Sequence, residues 1–144
     1  MTNSTLKPPT WFWVVSVIAL LWNLMGVFSY LTQAYTSIEQ LEAMSQAELA
    51  LFEGQPAWVT GAFAIAVFGG TLASIALLLR KKWAKSVFIL SFIAAIAQFI
   101  HWLFMTNSME VYGVQVYVMP ILVVILGIYE IFFAKQGIQK GWLQ

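Results

Sequence analysis

The sequence predicts an all-α membrane protein: an antiparallel four-helix transmembrane bundle, both termini cytoplasmic, with a short helical loop outside the membrane between the first two spans. Three observations lead there. Of 144 residues, 61% are hydrophobic and 9% are charged, against about 25% charged in an ordinary soluble domain. Four apolar runs, residues 11–31, 58–79, 84–105 and 117–134, come close to or exceed the roughly 20 helical residues that cross about 30 Å of hydrocarbon. None shows the two-residue alternation of barrel strands, and in lipid only a helix satisfies its backbone within one run. All seven basic residues (Lys7, Arg80, Lys81, Lys82, Lys85, Lys135 and Lys140) lie before the first run, between the second and third or in the first turn of the third, or beyond the fourth. Those positions share one side of an up-and-down chain, and Lys and Arg beside short loops stay cytoplasmic. Glu39, Glu42, Glu48, Glu53 and Glu110 then fall on the other side.

In chain order, residues 1–10 form a short polar lead whose Pro8-Pro9 pair suits the entry to a helix. The first apolar run is too long and too rich in tryptophan for a secretory signal, so it reads as a retained span. Residues 36–56 form the one sizeable polar segment. Ser37 with Gln40, and Ser45 with Glu48, are two capping-box patterns, and Gly54 and Pro56 close the second short helix. Ile38, Leu41, Leu49 and Phe52 give these helices an apolar side suited to the outer membrane surface. Trp11, Trp13 and Trp83 fall at one span boundary, Trp58 and Trp102 at the other, as interfacial aromatic rings do. Asn107 and Gly113 mark an outer connection between the last two spans, and Pro120 sits in the first turn of the fourth. The chain reads as a single domain over 1–144, with no repeat.

Each span carries small or polar residues at steps of three and four, which places them on one helical face. They are Ser16, Ala19, Asn23, Gly26 and Tyr30 in the first span, and Ala62, Ala66, Gly70 and Ser74 in the second. Ser91, Ala94, Gln98 and His101 follow in the third, with Val123, Gly127, Glu130 and Ala134 in the fourth. The second series has the small-xxx-small spacing that lets another helix backbone approach closely, so Ala62, Ala66, Gly70 and Ser74 are expected to pack helices.

Four residues are candidates for a cavity. Counting about 1.5 Å per residue, Asn23 lies roughly 18 Å from Trp11 and Gln98 roughly 21 Å from Ala84 along their helices, so both reach mid-membrane. Either the two amides bond each other across the bundle, or both face a water-filled space. His101, one turn beyond Gln98, is either a packing group or part of an outward-opening cavity. Glu130, roughly 7 Å inward from Lys135, is an intramembrane carboxyl and needs a partner. Arg80 and Lys135 are the expected ones; an unpaired, protonated carboxyl is what a proton-coupled carrier would use.

The chain has no cysteine and one histidine, so no metal or cofactor is expected. No phosphate loop, metalloprotease helix or serine-nucleophile pattern is present, and the reading is not that of an enzyme. The basic stretch at 80–85 is accounted for by topology, and a nucleic-acid partner is not expected.

The stretches Pro8-Pro9-Thr10-Trp11-Phe12-Trp13, Leu21-Trp22-Asn23-Leu24-Met25-Gly26, Pro56-Ala57-Trp58 leading into 64–71, and Arg80-Lys81-Lys82-Trp83-Ala84 resemble a family of small bacterial four-span membrane proteins, often labelled uncharacterised or "sugar transporter". The resemblance implies a bacterial inner membrane and transport of a small, sugar-like solute. Four spans are few for a carrier, so a homo-oligomer is expected. The alternative is an accessory subunit that packs its small-residue faces against a larger membrane protein.

Overall fold

The computed structural model describes residues 6–144; the first half of the polar lead lies outside them. Four helices are long and apolar enough to cross a membrane: α1 (Thr10–Ala34), α4 (Ala57–Leu78), α5 (Ala84–Phe104) and α7 (Val118–Gln139). Short helices α2 (Ile38–Glu42) and α3 (Gln46–Glu53) join α1 to α4. Another short helix, α6 (Ser108–Tyr112), and a 3-10 turn over Gly113–Tyr117 join α5 to α7. No strand occurs among the described residues.

The local rules set these limits. Pro9 and Pro56 hold extended backbone just before α1 and α4, and each helix begins at the next residue. Ser37 and Gln40 form the reciprocal capping box of α2. At α3 the Ser45 hydroxyl accepts the Glu48 N–H at 3.1 Å, and Gly54 follows as the C-cap. Within the spans, Ser16, Thr71 and Ser74 donate their hydroxyls to the carbonyl four residues back, each at 2.8 Å, so these three hydroxyls are met within their own helices.

The spans run antiparallel to their neighbours. α4 packs most extensively on α5 and then on α1, and α7 packs on α5. The four faces picked out by spacing all turn inward: Ala62, Ala66, Gly70 and Ser74 are buried on α4, and Ser16, Ala19 and Asn23 on α1. Leu21, Phe28, Leu72, Ile93, Ile125 and Phe132 are among the large apolar side chains left outside, where lipid covers them.

At the end that holds the basic stretch, Phe12, Leu77, Phe88, Phe133 and Leu143 form a closed apolar plug. Phe12 stacks on Phe133, with ring centroids 5.5 Å apart, and Trp142 meets Phe12 edge-on at 5.6 Å. α7 runs five residues past the limit expected from hydropathy, to Gln139. Gly141 (φ 76°) then turns the chain so that the Trp142 N–H reaches the Gly137 carbonyl at 2.8 Å and the Gly141 N–H reaches that of Ile138 at 3.2 Å. That Schellman turn drives Leu143 back against Gly137.

Arg80 ties this end together. It follows the last turn of α4 at φ 58°, a left-handed conformation uncommon outside glycine. Its guanidinium donates to the Trp142 carbonyl at 2.9 Å and to the Leu6 carbonyl at 2.8 Å. Backbone bonds from Leu6 to Gly141, Gln144 to Arg80, and Lys82 to Gln144 complete the knot. Both described chain ends therefore lie beside the basic loop.

Two effects act in opposite directions at Arg80. Arg80→Ala removes both side-chain bonds, about 2 kcal/mol for a charged donor, and keeps the left-handed backbone at roughly 1 kcal/mol. Arg80→Gly removes the same bonds but not the backbone freedom. Thermal unfolding in detergent should rank wild type above Arg80→Gly and Arg80→Gly above Arg80→Ala; an alanine variant as stable as wild type refutes the clamp.

Candidate functional site

The polar residues of the spans converge on a cavity of about 220 Å³ between the four long helices. Asn23 from α1, Ser91 and Gln98 from α5, and Glu130 from α7 all line it. Five aromatic side chains, Trp22, Phe63, Phe88, Phe92 and Phe99, supply much of the remaining wall. Drug-sized sites occupy roughly 300–1,000 Å³, so this space suits a smaller molecule.

Asn23 organises the polar side. Its Nδ2 donates to the Glu130 carboxylate at 2.8 Å, to the Ala19 carbonyl at 2.8 Å and, more weakly, to the Ser74 hydroxyl at 3.3 Å. One amide thus joins α1 to α4 and to α7. It fits because Gly70 has no side chain: a Cβ there would overlap the Asn23 amide oxygen. The Ser91 hydroxyl donates across the α4–α5 contact to the Ala66 carbonyl.

Two expectations change at this point. Asn23 bonds Glu130 and Ser74 rather than Gln98. The Gln98 side chain makes no hydrogen bond to any described residue and stands in the cavity wall with its amide free. Glu130 pairs with neither basic candidate. Arg80 is committed to the carbonyls of Leu6 and Trp142, and Lys135, further along α7, is exposed. The carboxylate therefore meets a neutral amide instead of a cation.

His101 is the one cavity candidate that the fold does not bring to this cavity. It is buried near the far end of α5, with its ring edge-on to Trp58 at a centroid distance of 5.5 Å. The turn of helix between Gln98 and His101 lifts it past the cavity roof. The aromatic wall was missed from the sequence, because Trp22, Phe92 and Phe99 have the same composition signal as lipid-facing residues.

A second, more open space of about 500 Å³ lies beyond the cavity at the α2–α3 end. Thr32, Gln33, Thr36, Gln40 and Glu48 line it, together with Tyr112. Burial, and after it the Glu48 carboxylate, push the Tyr112 hydroxyl above its usual range. Ser29 lines both this vestibule and the inner cavity. An apolar cleft of about 150 Å³ between α1 and α7 touches the other side of Trp22 and Glu130.

Among the described residues no three His, Cys, Asp or Glu side chains converge, so the polar atoms the cavity offers are amide, hydroxyl and carboxyl oxygens and amide N–H groups. Groups of this kind can hydrogen-bond a small polar molecule.

Two measurements check this geometry. Gly70→Ala should lower stability by about 1–3 kcal/mol through overpacking. Gly61→Ala, where a Cβ meets nothing within 4 Å, should be neutral or stabilise by up to about 1 kcal/mol. A double-mutant cycle of Asn23→Ala and Glu130→Ala should return a coupling of about 0.6–1.7 kcal/mol, the range of hydrogen bonds between membrane helices; zero coupling would contradict the bond.

Comparison of the chain with protein-family models, with curated proteins and with solved structures finds no match.

Proposed function

We propose that this chain carries a small polar solute across a bacterial cytoplasmic membrane, acting as a homo-oligomer with both termini inside. The observation that carries this reading is the free Gln98 amide in a mid-span cavity that also holds Asn23 and Glu130. An amide in a membrane interior is costly without a partner, and the cavity supplies room for one. The vestibule that shares Ser29 with the cavity is a ready route from one membrane face.

The orientation rests on the basic loop. Lys81, Lys82, Lys135 and Lys140 are exposed at the end where Leu6 meets Gly141, and positive charge of this kind stays cytoplasmic. The accessory-subunit alternative needed a free small-residue face on α4. Asn23 and Ser91 occupy that face within the chain, so a partner subunit would have to use the outer surface of the bundle, where large apolar side chains are exposed.

Uptake of radiolabelled small solutes by proteoliposomes tests the reading. For at least one polar solute, uptake should exceed that of empty liposomes. Gln98→Leu, which touches no hydrogen bond of the fold, should reduce it by about ten-fold, the loss of one well-formed hydrogen bond to the solute. Unchanged uptake in Gln98→Leu, or no uptake of any solute, would overturn it.

A further inference from the structure

We infer that the cavity between α1, α4, α5 and α7 is selective for a small organic cation, an amine with an apolar or aromatic body, with Glu130 as its counter-charge. This rests on the solute-carrier reading above and narrows it, because the resemblance in the sequence implies only a sugar-like solute.

The first ground is the inventory of the wall. Among the described residues, Glu130 is the one ionisable side chain that lines the cavity. Asn23 holds its Oε2 at 2.8 Å, and its other oxygen makes no hydrogen bond to a described residue. Among the described residues no Lys, Arg or His lines either space that Glu130 borders: in the cavity α1 presents Trp22 and Asn23, α4 Ala66 and Val67, and α5 Ser91 and Gln98, and in the cleft α4 adds Leu77 and α7 adds Leu126. Tyr129 beside it on α7 lines only the apolar cleft on the far side. An intramembrane carboxyl that its own chain leaves without a cation is complementary to a cation from outside.

The second ground is the aromatic wall. Trp22 comes from α1, Phe63 from α4, and Phe88, Phe92 and Phe99 from α5. Ring faces carry negative potential and attract ammonium groups, most strongly where water is excluded. A sugar would need a dense set of hydrogen-bonding groups, and the wall offers mainly Asn23, Ser91, Gln98 and Glu130, three of them already engaged with the chain.

The third ground is the approach. The end of the molecule with the vestibule carries Glu39, Glu42, Glu48, Glu53 and Glu110 and no Lys or Arg. A mouth of one sign concentrates ligands of the other. Glu48 stands in the vestibule wall itself, so a cation meets favourable charge before it passes Ser29.

Isothermal titration calorimetry on the full chain in nanodiscs of zwitterionic lipid, with empty nanodiscs as the blank, tests this. The probes are benzylamine, charged at neutral pH, benzyl alcohol, its neutral counterpart of the same shape, and glucose. Benzylamine should bind at least about ten-fold tighter than benzyl alcohol, the scale of an ammonium held by a carboxylate and aromatic faces. Glu130→Gln keeps an acceptor for Asn23 and should abolish that preference. Ala95→Leu, which fills the cavity from a buried wall position and leaves the carboxyl in place, should weaken benzylamine to the same degree. Equal binding of amine and alcohol, or a preference that survives Glu130→Gln, overturns the cation assignment. Tighter binding of glucose, lost in Gln98→Leu, overturns it too but leaves a solute carrier standing. No binding of any probe above the blank removes both.

Discussion

Lipid gives helices no hydrophobic reason to associate, since an acyl chain is as apolar as leucine; they meet where their surfaces let backbones come close and polar groups pair. In this chain α4 provides that surface. Between the buried Val59 and Leu77 at its two ends, its buried face is Ala62, Ala66, Gly70, Ala73 and Ser74, a groove of small residues. α5 closes on one side, with Ser91 donating to the Ala66 carbonyl, and α1 on the other, with Asn23 set into the notch at Gly70. The placement of the remaining span follows. α7 is held against α5, and it reaches α1 through side chains, by the Asn23–Glu130 bond and the Phe12–Phe133 stack. Because α1 and α7 pack only sparsely on each other, a cavity remains inside and a cleft outside.

The two ends of the bundle differ in kind. At the basic end the plug of Phe12, Leu77, Phe88, Phe133 and Leu143 is sealed, and Arg80 binds the segments that carry Leu6 and Trp142. The strained backbone of Arg80 is offset by two charge-assisted bonds, an exchange that glycine cannot make. At the acidic end the connections are short capped helices with no buried residue in α2 or α3. A solute can reach the cavity from that end far more readily than through the plug.

The chemistry in between is sparing. Asn23 serves a structural bond and a wall position with the same amide. That double use explains how a carboxyl is tolerated in a span: a neutral donor meets one oxygen, and the other makes no hydrogen bond to a described residue.

The class of fold was legible in the chain before any coordinate, for particular reasons. Span length and the placement of Arg80, Lys81 and Lys82 are one-dimensional properties, and so is the three-and-four spacing that put Asn23, Gly70, Gln98 and Glu130 on inward faces. Capping at Ser37 and Ser45 was equally local. Partnership was not. Which groups meet depends on how far one helix slides and turns against the next, and a shift of one turn, about 5.4 Å, decides whether Asn23 finds Gln98 or Glu130. The same shift carries His101 past the cavity to Trp58. Nor does sequence spacing tell an aromatic ring that lines a cavity from one that faces lipid, since both solvents are apolar; only the packing of α1, α4 and α5 turned Trp22, Phe63 and Phe92 inward. The return of Leu143 to the core hangs on a single positive φ at Gly141. Face and depth were therefore set by the chain itself, and pairing was set by tertiary packing, because a hydrogen bond needs its atoms within about 3 Å and no one-dimensional pattern fixes a distance between helices.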